Sequence, residues 1–105
     1  MLRRYMRVRT DRTVVPRGLV AVELDGDMLK FGYSACNPVD TFTYKMANQI
    51  AKSRIDSGKF TCNINDPAGM VNVLASISHE KMELSPYILA LATDVYYRKN
   101  RGLPI

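Results

Sequence analysis

The sequence predicts a small α+β domain, one antiparallel sheet packed by three helices on one face. Three observations carry this reading. Two runs of strand-forming residues flank Asp25-Gly26. Three later segments carry apolar residues at helical spacing, each with its own start or stop signal. Strands come early and helices late, which is the order of an α+β domain rather than of alternating parallel units. With 105 residues, 47% of them apolar and 24% charged, the chain has the size and composition of one domain able to bury its own core. A single domain over 1–105 is expected, with 1–17 as either a basic edge strand or a flexible arm.

Residues 3–9 alternate loosely, Met6 and Val8 against Arg7 and Arg9, as in a half-buried edge strand. Val15-Pro16-Arg17-Gly18 reads as a turn. The hairpin over 19–35 is the clearest element. A two-residue loop would set Val22 opposite Leu29; a four-residue loop would set Leu24 opposite Leu29 and Val22 opposite Phe31. Both keep apolar side chains on one face, and a three-residue loop does not. Asp40 is the expected N-cap of a helix over about 41–57. Its apolar stripe is Phe42, Met46, Ala47, Ile50, Ala51 and Ile55, with Lys45, Asn48, Gln49, Lys52 and Asp56 facing away and Gly58 as the stop. A short strand near 59–65 follows, with Phe60, Cys62 and Ile64 on one side. Asp66-Pro67 opens a helix over 67–78 with Val71, Leu74 and Ile77 inward. After a polar connection at 79–84, Ser85-Pro86 opens the last helix, about 86–100. That helix is apolar nearly all round in its first three turns and is expected to be the most buried; Gly102 ends it.

Signatures of catalysis are missing from the sequence. It has no glycine-rich phosphate loop, no His-Glu-x-x-His and no Gly-x-Ser-x-Gly. The lone histidine, His79, reads as a loop residue and Cys62 as a core residue, so neither a catalytic site, a metal site nor a cofactor is expected. Asp25 and Asp27 could flank a cation, but the needs of a primed turn already account for Asp-Gly. A helix-turn-helix over 67–100 is disfavoured, because Pro86 stands where a recognition helix would begin. Met1-Leu2-Arg3-Arg4 runs straight into charge, and the longest strongly apolar stretch, Tyr87–Ala92, is too short to cross a bilayer. The expectation is a cytoplasmic protein with reduced thiols.

Charge is the strongest functional signal. Residues 1–17 hold Arg3, Arg4, Arg7, Arg9, Arg12 and Arg17 against one acid, Asp11, and the remaining charges cancel, so the whole surplus of +5 lies in this segment. Arginine forks bind phosphates and carboxylates bidentately, and Tyr5 among them offers a ring for stacking. A second aromatic and basic cluster, Tyr96, Tyr97, Arg98, Lys99 and Arg101, closes the chain. Two kinds of partner fit, DNA or RNA directly and an acidic protein surface; a charged edge strand that only resists aggregation is the structural alternative. Edge strands also allow a homodimer.

The segment Gly32-Tyr33-Ser34-Ala35-Cys36-Asn37-Pro38-Val39-Asp40-Thr41-Phe42, with Lys45 and Ile50-Ala51-Lys52-Ser53-Arg54, resembles a pattern in small phage and prophage proteins: a short hairpin, a Cys-x-Pro-x-Asp-x-Phe corner and a basic helix. The resemblance spans about residues 18–60. It implies a viral accessory protein in a host cytoplasm, one that binds and inhibits a host nucleic-acid-handling or defence complex as anti-CRISPR proteins do. Direct nucleic-acid binding is the alternative, and a small-molecule sponge is the third. The pattern itself assigns no active residues.

Overall fold

A computed structural model describes residues 1–37 and 40–105. Pro38 and Val39, the middle of the proposed corner, lie outside the described residues. Four strands, β1 (Leu2–Arg9), β2 (Val14–Asp25), β3 (Met28–Ala35) and β4 (Phe60–Asn63), form one antiparallel sheet in chain order. Three helices cover it: α1 (Tyr44–Ser57), α2 (Pro67–Glu80) and α3 (Ser85–Arg101), with a 3₁₀ turn at Met82–Leu84 between the last two.

The N-terminal segment is an edge strand, not a free arm. Leu2 to Met6 pair with Val22 to Gly18, then the register shifts so that Arg7 faces Pro16. Arg17 is the extra residue of this bulge. The expected turn at 15–18 is therefore strand, and the reversal lies at Thr10–Thr13, where the Thr10 N–H donates to the Thr13 carbonyl at 2.8 Å. Pro16 is tolerated because β3 ends opposite Gly18, leaving β2 with one neighbour there.

At the hairpin the register is Leu24 with Leu29 and Val22 with Phe31, continued by one pair, Asp25 with Met28. The loop is thus Gly26-Asp27. Gly26 has φ +60°, and no described non-glycine residue has positive φ, the sign pattern of a II′ turn with glycine first. The Asp25 carboxylate accepts from Lys30 Nζ on the same hairpin at 3.1 Å.

Helices pack on both faces of the sheet, which corrects the one-sided expectation. On one face Val20, Val22, Leu29, Phe31 and Tyr33 meet Met70, Ile77, Leu84, Ile88, Leu91 and Val95. On the other, Leu19 and Ala21 meet Ala47, Ala51 and Ile55 of α1. Central strands buried on both sides read as continuous apolar runs rather than alternation, as Leu19–Val22 does.

α1 begins at Tyr44, not Thr41. Thr43 is the N-cap, its hydroxyl accepting from the Met46 N–H at 3.3 Å, while the carbonyl of Asp40 accepts from Arg17. Its buried stripe is rotated from the expected one: Ala47, Ala51 and Ile55 face the sheet, and Met46 is 60% and Ile50 38% exposed. The cause is Gly32, where a Cβ would land on the carbonyl oxygen of Ala51. The helix backbone sits close against β3 there, with Ala47, Ala51 and Ile55 beneath it. Lys52 ties α1 to β2 through Glu23 at 2.7 Å and bonds Asp56 at 3.0 Å, and these carboxylates hold its ammonium above the usual pKa.

β4 is shorter than expected, ending at Asn63, although the Ile64 N–H still donates to the Asp27 carbonyl at 2.7 Å. In α2, Met70 and Ile77 are buried and Val71 is exposed, reversing the expected placement of Val71. His79 and Glu80 belong to this helix, and Leu84 of the following turn is fully buried, so the connection is not simply polar. In α3, Ile88, Leu91, Ala92 and Val95 are buried but Leu89 is exposed, so this helix is amphipathic rather than apolar all round. The two predicted stops, Gly58 and Gly102, do cap their helices in the left-handed conformation. Among the described residues no helix is long and apolar enough to cross a membrane.

Both cysteines are free thiols. Cys62 is buried in β4, and burial together with the nearby Asp66 carboxylate pushes its thiol pKa upward. Cys36 is half-buried at the end of β3. At pH 8 an alkylating reagent should label Cys36 first and reach Cys62 only on unfolding. Equal labelling rates by mass spectrometry would contradict the core placement of Cys62.

Candidate nucleic-acid interface

Strand alternation distributes the arginines over two faces. Arg4 points toward α3, where its guanidinium lies 3.7 Å from the carboxylate of Asp94. Arg98 binds the same carboxylate at 3.1 Å. The two terminal basic clusters therefore touch, but over a shared acid that neutralises part of their charge. The remaining members of the second cluster serve the fold: Arg98 also donates to the Pro104 carbonyl, Lys99 to the Ile64 carbonyl, and Arg101 lies over the Tyr97 ring at 5.1 Å.

Arg3 and Tyr5 point the other way, toward α1. The side chain of Asn48 joins them. Its oxygen accepts from Arg3 Nε at 2.7 Å, and its amide donates to the Tyr5 hydroxyl at 3.0 Å and to the Tyr44 carbonyl at 2.8 Å. Rings assemble on this frame. Tyr5 meets Tyr44 edge-on at 5.2 Å between centroids, and Tyr44 meets Phe42 edge-on at 5.3 Å. Tyr44, the middle ring, is 51% exposed. A hollow of about 570 Å³ beside it is lined by Val15, Pro16, Arg17, Phe42 and Tyr44, among others.

Beyond this point β1 and β2 leave the core as a two-stranded ribbon. All residues from Arg7 to Val14 are exposed. Arg7 faces Pro16 across the ladder, and continued alternation keeps Arg7 and Arg9 on the side of Tyr5 and Tyr44; Arg12 lies at the ribbon's end. Among the described residues Arg7, Arg9 and Arg12 have no acid within ion-pair distance. The ribbon is anchored at its root by Tyr87 of α3, whose hydroxyl accepts from the Arg7 N–H at 3.3 Å and donates to the Arg7 carbonyl at 3.2 Å.

Of the residues singled out from the sequence, the structure gathers Arg3, Tyr5, Arg7, Arg9 and Arg17 on one side with Arg12 at the ribbon's end. It sets Arg4 and Arg98 on the other face and leaves Lys99 and Arg101 at the end of α3. Sequence reasoning missed Tyr44 and Asn48. Asn48 is half-buried and bonded rather than facing away. Neither carries a local signal, since both gain their place from a strand more than 35 residues distant. Among the described residues no three metal-ligating side chains come together. No protein-family model matches the chain, and no curated protein or solved structure matches it.

Proposed function

We propose that this chain is a binding protein for single-stranded nucleic acid, gripped by the arginine ribbon and stacked on the adjoining tyrosine. The observation that carries the reading is the exposed row Arg7, Arg9 and Arg12, unpaired with acid among the described residues, next to the half-exposed ring of Tyr44. Guanidinium groups without counter-charges lose little on meeting phosphate, and they release the counterions condensed on it. A half-exposed ring stacks with any base, so the pairing suits recognition without sequence readout. Inhibition of a host nucleic-acid-handling or defence complex in the cytoplasm draws on the same surface, which would then meet the complex's bound strand or an acidic protein face.

The test is a salt titration of the wild type with a labelled single strand and a duplex of random sequence. About five neutralised phosphates give a log–log slope near −3.5 on the single strand, with tighter binding there than on duplex. Absence of binding to either at low salt would overturn the reading and move the search to acidic host proteins.

A further inference from the structure

The outer face of the α2–α3 layer carries no charge over most of its length. From Pro67 to Ser78, and again from Ser85 to Thr93, no residue is ionisable except the Tyr87 phenol, in a chain where a quarter of residues are charged. Yet large apolar side chains are exposed there: Val71 at 62%, Leu89 at 64%, Tyr96 at 55% and Tyr97 at 51%. Small residues, Ala68, Ala75, Ala90 and Thr93, lie between them and are exposed too. Taking 150–250 Å² for each exposed ring and somewhat less for Val and Leu, the four large side chains still show roughly 500 Å². With their small neighbours the face approaches the ~800 Å² per partner of a standard interface.

We infer that this face binds a second copy of the chain, with α3 antiparallel to the partner's α3 about a two-fold axis near Thr93. Three features select that occupant. Two chains that each carry +5 repel unless they meet on surface poor in charge, and the stretches Pro67–Ser78 and Ser85–Thr93 supply such a surface. The flanking charges are also self-complementary. Glu83 stands just before α3 and Arg101 at its end, both exposed, so an antiparallel pair sets the Glu83 of one copy by the partner's Arg101, twice. The same symmetry sets Leu89 against the partner's Tyr96, with the small Thr93 at the crossing. A two-fold interface requires this self-matching of one patch.

One competing site for a dimer, the outer edge of β1, is partly occupied. The Tyr87 hydroxyl occupies both backbone groups of Arg7, and pairing two such strands would oppose their arginines. In the α3-mediated dimer α1 and Tyr44 of each copy lie on the opposite side of the sheet, so one particle carries two ribbons.

Sedimentation equilibrium of the full chain at about 100 μM in moderate salt tests this. The expected mass is twice the 11.9 kDa of one chain. Leu89→Arg should give the single mass with unchanged helical circular dichroism, and Val71→Arg should weaken association likewise. Met46→Arg, on the opposite layer, should leave the double mass intact. Glu83→Arg should raise the dissociation constant about tenfold, since two symmetric ion pairs become repulsive, and adding Arg101→Glu should restore it. A wild type that sediments as one chain overturns the proposal, as does a folded Leu89→Arg that keeps the double mass. Failure of the double exchange to restore association overturns the antiparallel arrangement.

Discussion

Gly32→Ala should lower the melting temperature by about 15 °C and release α1 before the rest of the sheet. The side chain added is one methyl group, and its effect follows from what it meets. A Cβ at position 32 would lie on the backbone oxygen of Ala51 and within 3.0 Å of Ile55 atoms, one of them its backbone nitrogen. Backbone of a hydrogen-bonded helix turn cannot yield as the end of a flexible side chain can. The helix must lift, and lifting it opens the packing of Ala47, Ala51 and Ile55 against Leu19 and Ala21. Overpacking alone costs about 1–3 kcal/mol. With part of the second core lost, about 3 kcal/mol is expected, which at 4–8 °C per kcal/mol gives the stated shift. Gly26→Ala is the informative contrast. Nothing lies within 4 Å of a Cβ there, but φ is +60°, so only the backbone term of roughly 1–2 kcal/mol applies. Thermal melts order the two variants, and hydrogen exchange should show the amides of α1 losing protection first in Gly32→Ala. A melt within two or three degrees of wild type would mean that α1 is not seated as closely as described.

The same glycine explains much of what the sequence showed and hid. The hairpin was legible because its signals are local: Asp25-Gly26 with apolar residues in matching parity. The helix stops at Gly58 and Gly102 were legible for the same reason. The buried face of α1 was legible only in part: Ala47, Ala51 and Ile55 of the expected stripe are buried, Met46 and Ile50 are not. Met46 and Ile50 make a better apolar stripe on paper than Ala47 and Ala51 do, and hydrophobic spacing favours the larger side chains. Helix–sheet distance decides instead, and Gly32, far along the chain, sets that distance. Likewise Pro16 looked like a turn because proline ends most strands. Only the sheet's outline, with β3 stopping opposite Gly18, shows that its missing N–H costs nothing there. For the candidate interface, charge location singled out a segment but could not sort its members. Arg3 and Arg4 are neighbours in sequence and lie on opposite faces of the sheet, one held by Asn48 and the other by Asp94. The unpaired subset, Arg7, Arg9 and Arg12, emerges only when the partners of the others are known.

That subset makes the sharpest functional prediction. Replacing Arg7, Arg9 and Arg12 together by Ala should weaken binding of a random single strand by about 10²–10³ at 0.1 M salt. It should also flatten the log–log salt slope by about 2, at ~0.7 for each phosphate no longer neutralised. The fold should survive, because among the described residues these side chains bond nothing, and their backbone pairing with β2 does not depend on them. Tyr44→Ala should behave differently. Removing a stacking ring costs about 1–3 kcal/mol, a loss of roughly 5- to 150-fold, and leaves the salt slope unchanged because every phosphate keeps its arginine. The two variants thus separate charge from stacking on one surface. Arg4→Ala is the control for charge as such, since it removes one formal charge from the opposite face, where Asp94 already offsets it. If Arg4→Ala flattens the slope as much per residue as the ribbon variant, binding follows net charge and no particular surface is used. If the ribbon variant alone flattens the slope and Tyr44→Ala loses affinity at constant slope, the ribbon and the tyrosine hold the strand together.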